Sequence, residues 1–106
     1  MKFNSPFPLF IALSFFLHGI CAAQASPEYD NGKLIEETKC SSCHAKKTAF
    51  GDANMIYSRT DHKVISYSKL KSMVSRCNAE LRLDLFPEDE ADVSNFLNTE
   101  FYKFKP

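Results

Sequence analysis

Two cysteines three positions apart with a histidine directly after the second, Cys40-Ser41-Ser42-Cys43-His44, constrain this 106-residue chain more than any other stretch. On a helical turn the side chains at i and i+3 share a face, so both thiols, with the imidazole beside them, are offered to one side of the backbone. Whatever fold contains this segment must put a partner there. What that partner is depends on what the rest of the chain supplies.

A redox dithiol of this spacing belongs after a strand in a βαβ unit, and the flanking residues show no such pattern. Zinc needs a fourth ligand beyond Cys40, Cys43 and a histidine whose direct adjacency to Cys43 is geometrically awkward. A structural disulfide beside an unrelated histidine is the third reading. All three stay open as poorer fits than haem attachment, in which Cys40 and Cys43 form thioethers with the two vinyl groups and His44 ligates the iron. One covalent haem c is the cofactor expected.

The amino-terminal region supports that choice. Lys2 precedes a strongly apolar stretch over residues 3–21, and Ala23-Gln24-Ala25 places small residues at the two positions that direct cleavage. A spanning helix needs about 20 apolar residues, and Pro6, Pro8, His18 and Gly19 crowd a stretch already too short. We therefore expect residues 1–25 to be a signal peptide and residues 26–106 the exported, periplasmic domain, with no stable membrane span. Covalent attachment suits export, because a group held only by mass action would be lost on dilution.

Eighty-one residues without a tryptophan form a marginal core. Disulfides usually reinforce exported domains of this size, but Cys40, Cys43 and Cys77 are an odd number. Cys77 is read as a small hydrophobe in the core, with a bridge to another molecule as the alternative. A large apolar cofactor would supply the missing interior.

The element pattern is helical throughout. Ser26-Pro27-Glu28 and Asp30-Asn31 are helix-start residues, and residues 31–42 favour helix and run into the cysteine motif, whereas residues 45–61 read as a loop with one short helical turn. From Ser68, the residues Leu70, Met73, Val74 and Cys77 fall at i, i+3, i+4 and i+7, the stripe of an amphipathic helix expected to end at Asn78. Pro87 suits a first helical turn, and Glu88, Asp89, Glu90 and Asp92 lay negative charge at the positive end of the dipole. Val93, Phe96, Leu97, Phe101 and Phe104 then form a wide apolar face. The expectation is a single all-α domain of about three main helices around one haem.

Asn31-Gly32-Lys33-Leu34-Ile35 leading into Lys39-Cys40-Ser41-Ser42-Cys43-His44, with a last helix written Pro87-Glu88-Asp89-Glu90-Ala91-Asp92-Val93 and reaching Phe96-Leu97, resembles the class I monohaem c-type cytochromes. The resemblance implies a cytochrome c-like fold in which a glycine of the first helix lets an aromatic of the last pack across it; Gly32 and Phe96 hold those positions. It also implies an electron carrier and not an enzyme.

The middle of the chain departs from that family. Its members usually place a methionine ligand shortly before the last helix, and residues 79–86 contain none. Arg76-Cys77-Asn78 and the short connection after it are similar to small cytochromes with a weak asparagine ligand or an open position. The sixth ligand is open among Met55, Asn78 and Met73. Met55 lies only eleven residues after His44; Met73 sits on a packing stripe, and Asn78 has the alternative role of a helix cap. His62, between Asp61 and Lys63, reads as a solvated side chain, with a bis-histidine iron site as the alternative. An open sixth position would make the alternative function a haem-based ligand-binding module or sensor.

Residues 26–106 carry 12 Lys and Arg against 13 Asp and Glu, so no overall field points to nucleic acid. The charge is nevertheless polarised: residues 33–82 hold ten basic and five acidic residues, residues 83–106 two and six. Lys33, Lys39, Lys46 and Lys47 flank the motif and are the candidate docking face for redox protein partners. The domain is expected to be a monomer.

Overall fold

A computed structural model describes residues 2–4, 6 and 23–106. The apolar centre of the expected signal peptide, residues 9–17, lies outside the described residues. Among those described the chain is all-α, with no strand. Its helices are α1 (Pro27–Ile35), α2 (Ser41–Ala45), α3 (Met55–Ser58), α4 (Tyr67–Leu81) and α5 (Pro87–Leu97). A π-helical turn at Glu36–Cys40 joins α1 to α2, and a second, Asn98–Tyr102, extends α5. Three long helical runs therefore dominate, as the periodicity predicts.

The first helix begins at the earlier of the two starts the sequence offers, Ser26-Pro27-Glu28. Ser26, in extended conformation, accepts a hydrogen bond from the Tyr29 N–H, and Pro27 follows at the first helical position, where its missing N–H costs nothing. The run is also not one regular helix. The Ser41 N–H bonds the Glu36 carbonyl five residues back, which adds a residue to the turn and rotates the cysteine motif by about 100° relative to the register of α1.

Ser66 caps α4 by accepting from the Lys69 N–H. This helix runs past the expected end at Asn78 to Leu81, and it stops where Arg82 takes the left-handed conformation at φ 50°. Asn78 does not terminate it because its side chain serves the following connection instead. The amide accepts from the Leu85 N–H at 3.1 Å and donates to the Leu85 carbonyl at 3.0 Å and Glu90 Oε1 at 2.7 Å. Pro87 opens α5 as predicted, and Asp89 accepts the Phe86 N–H at 3.0 Å.

α1 and α5 cross in close contact at Gly32. A Cβ there would stand 2.7 Å from the Asp92 carbonyl carbon and 2.8 Å from Phe96 Cβ, so only glycine permits the approach. Asn31 fastens the crossing by donating to Asp92 Oδ2 at 2.8 Å and Asp89 Oδ1 at 3.1 Å. On the other side, Tyr29 sets its ring edge against Phe96 and donates its hydroxyl to Glu100.

The core is small: Ile35, Tyr57, Val64, Leu70, Val93, Phe96 and Leu97. Full burial of a side chain such as Leu70 contributes about 1.5–3 kcal/mol, so seven residues give a modest total against chain entropy. Five of the seven, Tyr57, Val64, Leu70, Val93 and Leu97, also line a cleft. Core and cleft wall are largely the same side chains.

Candidate functional site

The cleft holds about 790 Å³ of space, part of it open to solvent. Cys40, Cys43 and His44 line one side. α4 supplies Leu70, Met73, Val74, Cys77 and Leu81, the stripe expected from the sequence carried one turn further; Leu83 and Leu85 of the connection, Val93 and Leu97 of α5, and Tyr102 complete the apolar wall. Every long run except α1 itself reaches it, so the cleft exists only once α4 and α5 have packed against the motif.

Cys40 and Cys43 are free thiols, one half-buried and one exposed. Burial first, then the nearby Glu36, pushes the Cys40 thiol up to about 11. A redox dithiol requires the opposite, a thiol lowered toward neutrality so that its thiolate can attack. No group of three His, Cys, Asp or Glu side chains placed to hold a metal ion is present among the described residues.

His44 is held by a pair of residues that the sequence reading did not single out. Its Nδ1 lies 2.7 Å from the Tyr57 hydroxyl, and that hydroxyl lies 3.0 Å from Glu36 Oε1. Glu36 is 4% exposed, and the Ser41 hydroxyl spans both of its oxygens at 2.9 and 3.0 Å. A carboxylate only accepts, so the Tyr57 proton goes to Glu36 and the Tyr57 oxygen accepts from the His44 Nδ1–H. The imidazole is thereby fixed as the tautomer whose Nε2 carries the lone pair. Desolvation lowers the His44 pKa, more than Glu36 raises it, which keeps the ring neutral and able to act as a ligand.

Tyr57 is positioned from three sides. It sits on the short helix α3, buried at 5% exposure, with Phe101 at 5.0 Å and Tyr102 at 6.3 Å between ring centroids. Desolvation, then the Glu36 charge, moves its hydroxyl well above the usual tyrosine range, so it stays protonated as a donor. One signal for Glu36 was present in the sequence: Gly32, Ile35 and Glu36 fall at i, i+3 and i+4, and all three are buried. Nothing local linked Tyr57 to His44, thirteen residues away across an irregular loop.

The candidate sixth ligands separate clearly. Met73 lines the cleft, whereas Met55, at the start of α3, and Asn78, engaged with Leu85 and Glu90, do not. His62 is not the solvated side chain expected: its ring packs edge-on to Tyr102 at 5.2 Å, and its Nδ1 is buried without a hydrogen-bond partner. Cys77 is half-buried and lines the cleft, and burial raises its thiol pKa.

The four lysines also separate. Lys39 and Lys47 stand at the cleft edge and Lys46 is exposed beside them, while Lys33 faces Glu37 at 3.9 Å on the outer side of α1. No helix among the described residues is long and apolar enough to cross a membrane. The comparisons with known proteins give no match to this chain from any family, any curated protein or any solved structure.

Proposed function

We propose that this protein is an exported monohaem c-type cytochrome that carries single electrons between redox partners. The observation that supports this most is the coincidence of three features: Cys40, Cys43 and His44 border one apolar cleft, the His44 tautomer leaves Nε2 as a lone-pair donor, and the cleft wall doubles as the core. A flat apolar group anchored through both thiols would complete an interior that seven buried residues leave small. When bound, that group supplies reversible one-electron exchange at its iron. The chain's own part is to fasten it through Cys40 and Cys43, orient the axial imidazole through Tyr57, and keep water from the cleft with the leucines and valines of α4 and α5.

The fold proposed is cytochrome c-like, with the Gly32 crossing of α1 and α5 as its brace. Lys39 and Lys47 at the cleft edge, with Lys46 beside them, are the residues proposed to steer an acidic redox partner toward that edge; association would weaken with salt. A second reading, a haem module that binds a small gas, draws support from the connection after α4, which presents Leu83 and Leu85 to the cleft and no sulfur.

The mature domain, expressed with haem-attachment machinery, should be red and keep its colour after acid-acetone extraction. Cys40→Ala or Cys43→Ala should weaken retention; His44→Ala should retain covalent haem and alter the iron spectrum. Colour that leaves with the solvent refutes attachment.

A further inference from the structure

We propose that Glu36 and Tyr57 form a buried relay that makes His44 an electron-rich axial ligand and sets the reduction potential of the protein low. This inference rests on the haem reading above. Its basis is the order of the groups: carboxylate, hydroxyl, imidazole, at 3.0 and 2.7 Å, with the carboxylate 4% exposed.

A ring that donates Nδ1–H into such a chain gains anionic character, and its other nitrogen becomes a stronger donor. A negative charge held in a low-dielectric interior favours the oxidised, more positive state of a nearby redox centre. Both effects act in the same direction. No ion pair competes for the charge: Glu36 has no basic partner within salt-bridge distance among the described residues, and its neighbours are the Ser41 and Tyr57 hydroxyls.

Burying an unpaired carboxylate is costly, and a core of seven residues has little stability to spare. A plain packing role at position 36 would be met by leucine at lower cost. Glu36 continues the buried α1 face of Gly32 and Ile35, and the π turn that begins at it carries Cys40 and Cys43 to the cleft; such turns often mark functional sites. Glu36 and Tyr57 are therefore positioning residues, acting on the iron only through His44. The exchange itself moves one electron, taken from or given to the redox partner; the proton remains on His44 Nδ1 in both oxidation states.

The test is the midpoint potential of the haem-loaded mature protein in four forms: wild type, Glu36→Gln, Tyr57→Phe and the double variant. Glu37→Gln, which neutralises an exposed acid on the same turn, is the control. Loss of the relay should raise the potential by at least a tenfold shift in the reduction equilibrium, about 59 mV for one electron. The double variant should shift less than the two single changes added together, because both act through one chain. A Glu37→Gln shift as large as that of Glu36→Gln, or additive single shifts, overturns the relay. The wild type gives a variant-free check: proton NMR of the haem-loaded protein should show a His44 Nδ1–H protected from exchange with water, and free exchange of that proton overturns the proposal. Absence of covalent haem in the wild type refutes the proposed function and the relay with it, whereas covalent haem with unmoved potentials refutes the relay alone.

Discussion

Gly32 of α1 lies beneath Phe96 of α5 so closely that a Cβ on the glycine would stand 2.8 Å from the phenylalanine Cβ and 2.7 Å from the Asp92 carbonyl carbon. Backbone atoms of α5 cannot rotate away as a flexible side chain would. The crossing joins the two ends of the domain, and α5 in turn carries Val93 and Leu97 to the cleft.

Gly32→Ala should therefore cost about 1–3 kcal/mol, the range for overpacking a well-filled contact, even though alanine is the better helix former. Chemical denaturation of the haem-loaded protein measures it. Unchanged or increased stability would mean that the helices cross further apart than described.

Asn78 offers a separate check on the α4–α5 connection. Asn78→Ala removes three hydrogen bonds and leaves the Leu85 N–H and carbonyl without their partner, which should destabilise the domain by about 1–3 kcal/mol. The iron spectrum should not change, since the amide is committed to Leu85 and Glu90. A spectrum altered as much as stability would instead identify Asn78 as an iron ligand.

Met73, alone of the three candidate sixth ligands, lines the cleft. If a far-red sulfur-to-iron band appears in the ferric protein, Met73→Ala should abolish it and Met55→Ala should leave it intact. If no such band exists, carbon monoxide should bind the ferrous protein rapidly at neutral pH. Loss of the band in Met55→Ala alone contradicts the placement of Met55 outside the cleft.

Acid sensitivity should have a contribution from the α1–α5 crossing. The Asn31 amide, and after it the Phe86 N–H, hold the Asp89 carboxyl below its ordinary value of 3.8. A carboxyl depressed in the folded state binds fewer protons there than in the unfolded chain, so its contribution is complete above the unfolded value and fades as pH falls through the folded one. Asp89→Asn should lower the thermal midpoint at neutral pH, and the gap to wild type should narrow as pH drops below 3.8. A gap that widens in acid would contradict the arrangement.

Much of this architecture is written locally. Helix starts at Ser26-Pro27, Ser66 and Pro87, the apolar stripe through Leu70, Met73, Val74 and Cys77, and the shared face of Cys40 and Cys43 depend on residues within a turn or two of one another, where caps and periodicity act. The meeting of Gly32 and Phe96 was also expected, from a resemblance that spans both ends of the domain. Tertiary structure alone decided the rest. The extra residue in the Glu36–Cys40 turn carries Cys40 and Cys43 to the cleft, and packing against Phe101 and Tyr102 brings Tyr57 between the Glu36 carboxylate and His44. Asn78 passes from helix end to loop anchor because Leu85 and Glu90 fold back onto it. The His62 ring packs on Tyr102 and buries its Nδ1, while the residue as a whole is only partly covered. Each of these depends on groups far apart along the chain, and such contacts are fixed by which helices pack together and not by any local propensity.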